Sequence, residues 1–156
     1  MKPHRIWILI ANSSYAEIFE VKEDGAHFIE RYEHPESRKR TGELVTDKPG
    51  HTFESANFAR HKVAEEEQAL HRHERDIFSH ELMKIISRGK NEHRFDQFVM
   101  VAPPQFLGEL RRVFKKHSLK PTSEVVKNFP SILSFKEKMQ LIQKYLPRRL
   151  KQNEAF

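Results

Sequence analysis

The chain has 156 residues and a net charge of +6, a length typical of one domain and a charge that favours polyanionic partners such as RNA. Twelve phenylalanines argue against intrinsic disorder, and no stretch approaches the ~20 apolar residues of a membrane helix. The absence of cysteine excludes a disulfide framework and, with no secretory signal pattern around residues 6–11, leads us to expect a cytoplasmic protein.

The first third of the chain has the pattern of three short strands. Residues 6–11, IWILIA, form an apolar run of strand length that ends at a polar cluster, which is typical of a buried central strand. Residues 15–21 and 27–33 flank a turn at 23–25, and Asp-Gly between two alternating segments is a strong hairpin signal. We therefore predict three antiparallel strands.

A segment without periodic pattern follows, from residue 34 to about residue 58. About twenty structureless residues inside a compact domain are unusual unless the segment is functional or disordered, and we interpret this one as functional. Beyond it, apolar residues recur at three- and four-residue spacings, which is typical of one long helix packed on the sheet. Gly89 is predicted to end that helix.

The rest of the chain alternates strands with helices. Residues 95–104 form a second apolar strand that ends at two prolines, a helix is predicted over 105–117, and residues 121–129 have the pattern of a further strand. Ser134 and Glu137 have the Ser-x-x-Glu spacing of a capping box and predict a last helix. The residues expected on its inward face are Phe135, Met139, Ile142 and Leu146.

These elements predict an α/β fold in a single domain, residues 1–147, with a basic tail at 148–156. The order is βββ, loop, αβαβα. Because strands that alternate with helices pair in parallel, we expect a mixed sheet of about five strands, antiparallel at first and parallel later, flanked by about three helices.

Ten histidines raise the question of a metal site. On a helix, His71 and His73 point about 200° apart, and His73 and His80 lie about 10 Å apart along the axis. Neither pair can share a zinc ion whose ligand bonds are ~2.0 Å long. We therefore predict no metal and no cofactor, and without a Gly-x-Ser-x-Gly elbow we assign no catalytic residue.

Basic side chains cluster in and beside the long loop and on the helix predicted at 105–117. Arg111 and Lys115 are four residues apart, as are Arg112 and Lys116, so both pairs lie along the outer face of that helix. This pattern favours either a polyanion-binding face or a merely solvated one. The predicted nucleic-acid-binding residues are Arg38, Lys39, Arg40, Lys48, Arg60, Lys62, Arg111, Arg112, Lys115, Lys116 and Lys120.

Several short motifs carry a resemblance to a known family. They are His34-Pro35-Glu36, Glu43-Leu44-Val45, Asp47-Lys48-Pro49-Gly50 and the segment FDQFVMVAPPQFLGELRRVF at 95–114. In these motifs the chain resembles the bacterial host attachment protein family, in order from Trp7 to about Leu146. The motif residues of the loop are His34, Pro35, Asp47, Pro49, Gly50, His51, Phe53 and Ser55.

That family is similar to the middle domain of the archaeal and eukaryotic peptide-chain release factor, which implies a mixed sheet with flanking helices. In the release factor, the loop before the long helix carries Gly-Gly-Gln, which enters the ribosomal peptidyl-transferase centre. Here the corresponding stretch, KPGHTFESANFAR, lacks Gly-Gly-Gln, so the resemblance does not imply hydrolysis of peptidyl-tRNA. The family usually has Asp at the end of its first strand, where this chain has Asn12.

Charge and resemblance together predict a cytoplasmic, non-enzymatic protein that binds RNA or the ribosome through residues 38–55 and 111–120. Two other hypotheses remain open. The family's name favours an interaction protein that acts in host attachment, directly or indirectly, at the cell surface. Asp47, His51 and Ser55 favour a hydrolase of an ester or phosphodiester, since an Asp and a His in one loop can place a base beside a hydroxyl.

Overall fold

The computed structural model describes residues 4–22, 24–35, 56–129 and 133–145. Within these ranges the chain forms five strands and three helices. They are β1 (Ile6–Ala11), β2 (Tyr15–Lys22), β3 (Gly25–Glu33), α1 (Ala56–Asn91), β4 (Gln97–Ala102), α2 (Pro104–Lys116), β5 (Ser123–Val126) and α3 (Phe135–Tyr145). The predicted order of elements is confirmed. The basic tail predicted at 148–156 lies outside the described ranges.

The strands form one sheet in the order β3-β2-β1-β4-β5. The β1–β2 and β2–β3 pairs are antiparallel, whereas the β1–β4 and β4–β5 pairs are parallel. The prediction of a mixed sheet, antiparallel first and parallel later, is confirmed. The β2–β3 hairpin is tight: Lys22 pairs with Gly25, whose φ of 134° is a conformation that side chains with a β-carbon rarely adopt.

β1 is the central strand because all six of its side chains are apolar and buried. Trp7 and Leu9 belong to the core beneath α1 and α2, whereas Ile8 and Ile10 belong to the core on the other face, which α3 covers. A strand that is buried on both faces has a continuous run of apolar residues in its sequence, as β1 does. Helices therefore cover both faces of the sheet.

α1 spans 36 residues, about 54 Å at 1.5 Å per residue. Its second half packs on the sheet through side chains such as Phe78, Leu82 and Ile86. Residues 62–73 are exposed or half-buried, so this part of the helix contributes no fully buried side chain to the core. Like the other described helices, α1 has no apolar stretch long enough to cross a membrane.

The prediction that Gly89 ends α1 is wrong, because the helix continues to Asn91. Gly89 is buried where α1 lies on the sheet, and a β-carbon at this position would be 2.7 Å from the Trp7 ring and 2.9 Å from the Phe95 ring. No real β-carbon tolerates such contacts without movement of the rings. The residue is therefore a packing glycine, and its lack of a side chain sets how closely α1 approaches β1.

α1 ends instead in a Schellman motif. The N–H of Arg94 donates to the carbonyl of Gly89 at 2.8 Å, and the N–H of His93 donates to that of Lys90 at 3.1 Å. His93 occupies the left-handed position of the motif, with a φ of 56°, where glycine is usual. α2 ends in the same way, with Ser118 in the left-handed position at a φ of 56°.

Two strands are shorter than predicted. β4 spans 97–102 where 95–104 was expected, and β5 spans 123–126 where 121–129 was expected. Phe95 lies before β4 and packs on Trp7, with 4.8 Å between ring centroids. The apolar character of residue 95 thus reflects burial beside the sheet and not membership of a strand.

The predicted capping box at the start of α3 is confirmed. The N–H of Glu137 donates to Ser134 Oγ at 3.2 Å, and the N–H of Ser134 donates to the Glu137 carboxylate at 3.4 Å. Met139 is buried as expected, but Phe135 is 41% exposed, although its ring lies 5.4 Å from that of the buried Phe19. Leu146 and the side chain of Ile142 lie outside the described part of the molecule.

Candidate nucleic-acid interface

Two of the predicted binding residues on α2 bind carboxylates of the protein itself. Arg111 donates two hydrogen bonds to Glu124 Oε2 on β5, from Nε at 2.9 Å and from Nη2 at 2.5 Å. Arg112 donates to Glu109 at 3.1 Å and to Asp76 on α1. These hydrogen bonds raise the pKa of both guanidinium groups above its ordinary value. A polyanion would have to compete with these carboxylates for either arginine.

The other predicted cations at the end of α2 are not paired in this way. Lys115, Lys116 and Lys120 are exposed, and no carboxylate of the described ranges lies within ion-pair distance of them. They lie beside Phe114, whose ring packs on that of Phe98 at the start of β4, with 5.9 Å between centroids. These lysines therefore border the amino end of β4.

A second group of cations, outside the predicted set, lies where α1 ends. Arg88 and Lys90 are in its last turn, Arg94 follows the Schellman motif, and all three are exposed. The guanidinium of Arg94 lies over the Trp7 ring, 5.1 Å from its centroid. The signal in the sequence is RGKNEHR at 88–94, but cations are common at any helix C-terminus because they stabilise its partial negative charge.

Both groups border the same end of the sheet. The rings of Trp7, Phe95, Phe98 and Phe114 form a buried row with successive centroid separations of 4.8, 5.8 and 5.9 Å. Arg94 lies over the first ring, and the lysines of α2 follow the last. We call this surface the basic end; it consists of Arg88, Lys90, Arg94, Lys115, Lys116 and Lys120.

Two carboxylates also lie in this part of the molecule, those of Glu92 and Asp96. Asp96 accepts a hydrogen bond from the backbone N–H of Arg5 at 2.8 Å, and its own N–H donates to the Arg5 carbonyl at 2.9 Å. The Arg5 guanidinium donates in turn to the His93 carbonyl. Asp96 thus serves to align the start of β4 with β1.

Arg60 and Lys62, predicted to join the same binding surface, lie far from the basic end. Both are exposed on the first half of α1, about 42 and 39 Å along the helix axis from Arg88. The structure therefore places them on a separate surface, which a ligand at the basic end reaches only if it is long. They remain predicted binding residues.

His34, the first residue of the predicted motif loop, is buried on α1. Its Nε2 lies 2.7 Å from the Glu74 carboxylate, and its ring stacks on Phe78 with 5.1 Å between centroids. Its backbone N–H donates to the Ser14 carbonyl at 2.7 Å. His34 therefore fixes the point at which the chain leaves β3, whereas Pro35 beside it is exposed.

The remaining residues of the predicted loop lie outside the described residues. They are the motif residues Asp47, Pro49, Gly50, His51, Phe53 and Ser55, and the cations Arg38, Lys39, Arg40 and Lys48. Their assignment as binding residues, and that of Asp47, His51 and Ser55 to a hydrolase, therefore stays a prediction.

The helical histidines make local contacts. His71 lies 3.7 Å from the Glu67 carboxylate and His80 lies 3.7 Å from that of Asp76, each one turn earlier on α1. In the described ranges, no group of three histidine, aspartate or glutamate side chains is arranged so that it could hold a metal ion. These histidines belong to ordinary i,i+4 pairs on a helix surface.

The sequence from residue 7 to residue 131 matches the family described as "Protein required for attachment to host cells". The chain belongs to this family. The resemblance predicted from the loop motifs and from the segment at 95–114 is thereby confirmed for this host attachment protein. No curated protein matches its sequence significantly.

Two solved structures are similar to this chain at low sequence identity. The Pelota protein of Thermoplasma acidophilum matches with a TM-score of 0.50 and 10% identity, over 90% of this chain and 32% of Pelota. A structure titled "Archaeal protein" matches with a TM-score of 0.42 and 12% identity, over 90% of this chain and 33% of that one. The host attachment protein thus spans about a third of each match. The likeness to Pelota supports the release-factor-like fold and shows the fold alone.

Proposed function

We propose that this member of the family is a cytoplasmic, non-enzymatic protein that binds RNA, free or in the ribosome, through the basic end. The observation that carries the proposal is that α1 and α2 end side by side, and each presents exposed cations at the same end of the sheet. Charges that the fold brings together without carboxylate partners attract a polyanion. The predicted loop at 38–55 is proposed as a further contact of the same RNA.

The chemistry of the basic end favours phosphate over base recognition. The aromatic rings at this end, those of Trp7, Phe95, Phe98 and Phe114, are at most 8% exposed and so offer no face on which a base can stack. Lysine and arginine side chains in water contact phosphates and release counterions, which gives affinity without sequence preference. The proposed RNA binding is therefore electrostatic and independent of the base sequence of the RNA.

Some of these cations also have a structural role, because they lie at the C-termini of helices. A cation in the last turn of a helix stabilises its partial negative charge by about 0.3–1 kcal/mol. Arg88, Lys90, Lys115 and Lys116 are all in such positions. This local role leaves their charged groups in solvent, where they remain able to contact phosphate, so it does not by itself remove the proposed function.

The test is the affinity of the protein for a fluorescein-labelled single-stranded RNA, followed by fluorescence anisotropy at low salt. Lys115→Gln combined with Lys116→Gln should weaken binding roughly tenfold or more, because two phosphate contacts are lost. The matched control is Lys136→Gln with Lys144→Gln, two exposed lysines of α3 on the other face of the sheet, which should bind RNA as the parent does.

An equal loss of affinity in the two double variants would mean that net charge alone drives binding, and unchanged affinity in both would remove the basic end from the proposal. Fractionation of a lysate of the native cells, followed by sedimentation of the ribosomes, shows where in the cell the protein is found. Recovery with ribosomes supports the ribosome as the partner. Recovery only at the cell surface would favour the second candidate, a protein that acts directly in host attachment, which the family description supports.

A further inference from the structure

A pocket of about 330 Å³ lies between α2 and β5. Its floor is apolar and consists of Met100 on β4, Phe114 on α2, and Leu119 and Pro121 in the connection to β5. Small-molecule sites typically have volumes of roughly 300–1,000 Å³ and predominantly apolar linings. The pocket therefore has the size of a site for a small ligand of one or two rings, too small for a folded partner to enter.

The fold keeps this pocket open at the edge of the sheet. Glu124 pairs with Met100 across the parallel β4–β5 ladder, so both side chains point towards α2. Arg111 bridges the gap from α2 to the Glu124 carboxylate. This bridge links α2 to β5, and both of its residues line the pocket.

The Schellman motif of α2 shapes the other wall. The N–H of Leu119 donates to the carbonyl of Phe114 at 3.0 Å, and the N–H of Ser118 donates to that of Lys115 at 3.2 Å. This turn buries the Leu119 side chain in the floor, where only 4% of it is exposed. The same turn directs the chain to Lys120 at the rim.

The rim of the pocket is positively charged. Arg111, Lys115 and Lys120 line it, against the single carboxylate of Glu124. Glu124 is already bound to Arg111, while Lys115 and Lys120 have no carboxylate partner in the described ranges. The charge that the pocket offers to an occupant is therefore that of two lysine ammonium groups above an apolar floor.

We infer that this pocket binds a small molecule with a flat apolar body and one anionic group, a carboxylate or a phosphate. The apolar body lies over the floor against Pro121 and the methylene groups of Lys115 and Lys120, because Met100, Phe114 and Leu119 beneath them are at most 4% exposed. The anionic group lies at the rim and accepts hydrogen bonds from the ammonium groups of Lys115 and Lys120. This site shares Lys115 and Lys120 with the basic end, but unlike RNA binding it requires the floor and not the cations of α1.

The inference is tested with the full-length protein labelled with ¹³C at the methionine methyl groups. The sequence has four methionines, of which Met100 lies in the pocket floor, while Met83 and Met139 are buried elsewhere and serve as internal references. The probe is 1-naphthaleneacetate, and its neutral counterpart is 1-naphthaleneacetamide. The acetate should move the Met100 methyl resonance in a saturable way, at least about tenfold more tightly than the amide.

Charge variants separate the pocket from the surface around it. Lys115→Gln with Lys120→Gln should weaken acetate binding at least about tenfold, whereas Lys116→Gln, which removes the same charge from a neighbouring exposed position outside the pocket, should leave it unchanged. The inference is overturned if the Met100 resonance does not saturate, if the amide binds as tightly as the acetate, or if Lys116→Gln has the same effect as the double variant. Arg88→Gln with Lys90→Gln weakens RNA binding under the proposed function but not acetate binding, so the two proposals fail separately.

Discussion

At the scale of single residues, Asn12 shows how a position of interest in the family has a structural role here. Its Oδ1 accepts hydrogen bonds from the backbone N–H groups of Ser14 and Tyr15, at 2.8 and 2.9 Å. Its own N–H donates to the Tyr15 carbonyl at 2.9 Å. These contacts close the turn between β1 and β2, and a carboxylate oxygen of Asp would accept the same two hydrogen bonds.

Replacement of Asn12 tests this role. Asn12→Ala should lower the free energy of unfolding by about 1–2 kcal/mol, because two part-buried N–H groups lose their acceptor. Asn12→Asp should retain nearly all of the stability, since the acceptor oxygen is kept. Urea denaturation followed by circular dichroism measures both variants, and an alanine variant as stable as the aspartate variant would contradict the assignment.

Also at this scale, the left-handed residues His93 and Ser118 mark what local sequence does not reveal. Glycine is the usual residue in that conformation, so the sequence places the end of α1 at Gly89, four residues before the residue that adopts it. Gly89 has a different function, which depends on the Trp7 and Phe95 rings that reach it from elsewhere in the chain. Contacts between distant residues therefore decided which residue ends the helix.

At the scale of elements, the contact of α1 with the sheet depends on this glycine. Gly89→Ala should destabilise the protein by up to about 2 kcal/mol, because overpacking against the Trp7 and Phe95 rings costs about 1–3 kcal/mol and the better helix propensity of alanine offsets about 1 kcal/mol of it. The control is Gly108, a helical glycine of α2 whose β-carbon would meet nothing within 4 Å. Gly108→Ala should stabilise the protein by about 1 kcal/mol.

Urea denaturation of the two variants gives the comparison directly. Opposite signs are expected for the same substitution in two helices of one protein. If Gly89→Ala is stabilising as well, the packing of α1 on Trp7 is looser than the structure has it, and helix propensity alone decides the effect.

The elements themselves follow closely from local patterns. β1 is predicted with its observed bounds because a run of six apolar side chains between polar segments has the length of a strand buried on both faces and is too short for a typical helix. The capping box of α3 is likewise a local signal that the structure confirms. β4 and β5 are predicted too long, because Phe95 and Phe129 are buried without belonging to a strand.

At the scale of the whole molecule, the change from antiparallel to parallel strand pairing follows from the alternation of elements, but the candidate site does not. The basic end joins residues 88–94 with residues 115–120, and only the crossing of α1 and α2 over one face brings them together. The carboxylate partners of Arg111 and Arg112 lie on β5 and α1. Helical periodicity indicates that these arginines face outward, but it does not reveal that carboxylates of other elements bind them.

The proposed function depends on contacts between the cations of the basic end and the phosphates of RNA. The most direct measurement is the dependence of the association constant for single-stranded RNA on salt concentration, for the parent and for Lys115→Gln with Lys116→Gln. The parent should give a slope of about −3 to −4 in a plot of log K against log salt, as expected for four to six phosphate contacts, and the double variant a slope less steep by about 1.4. A slope near zero for the parent, or the same slope for both proteins, would contradict the claim.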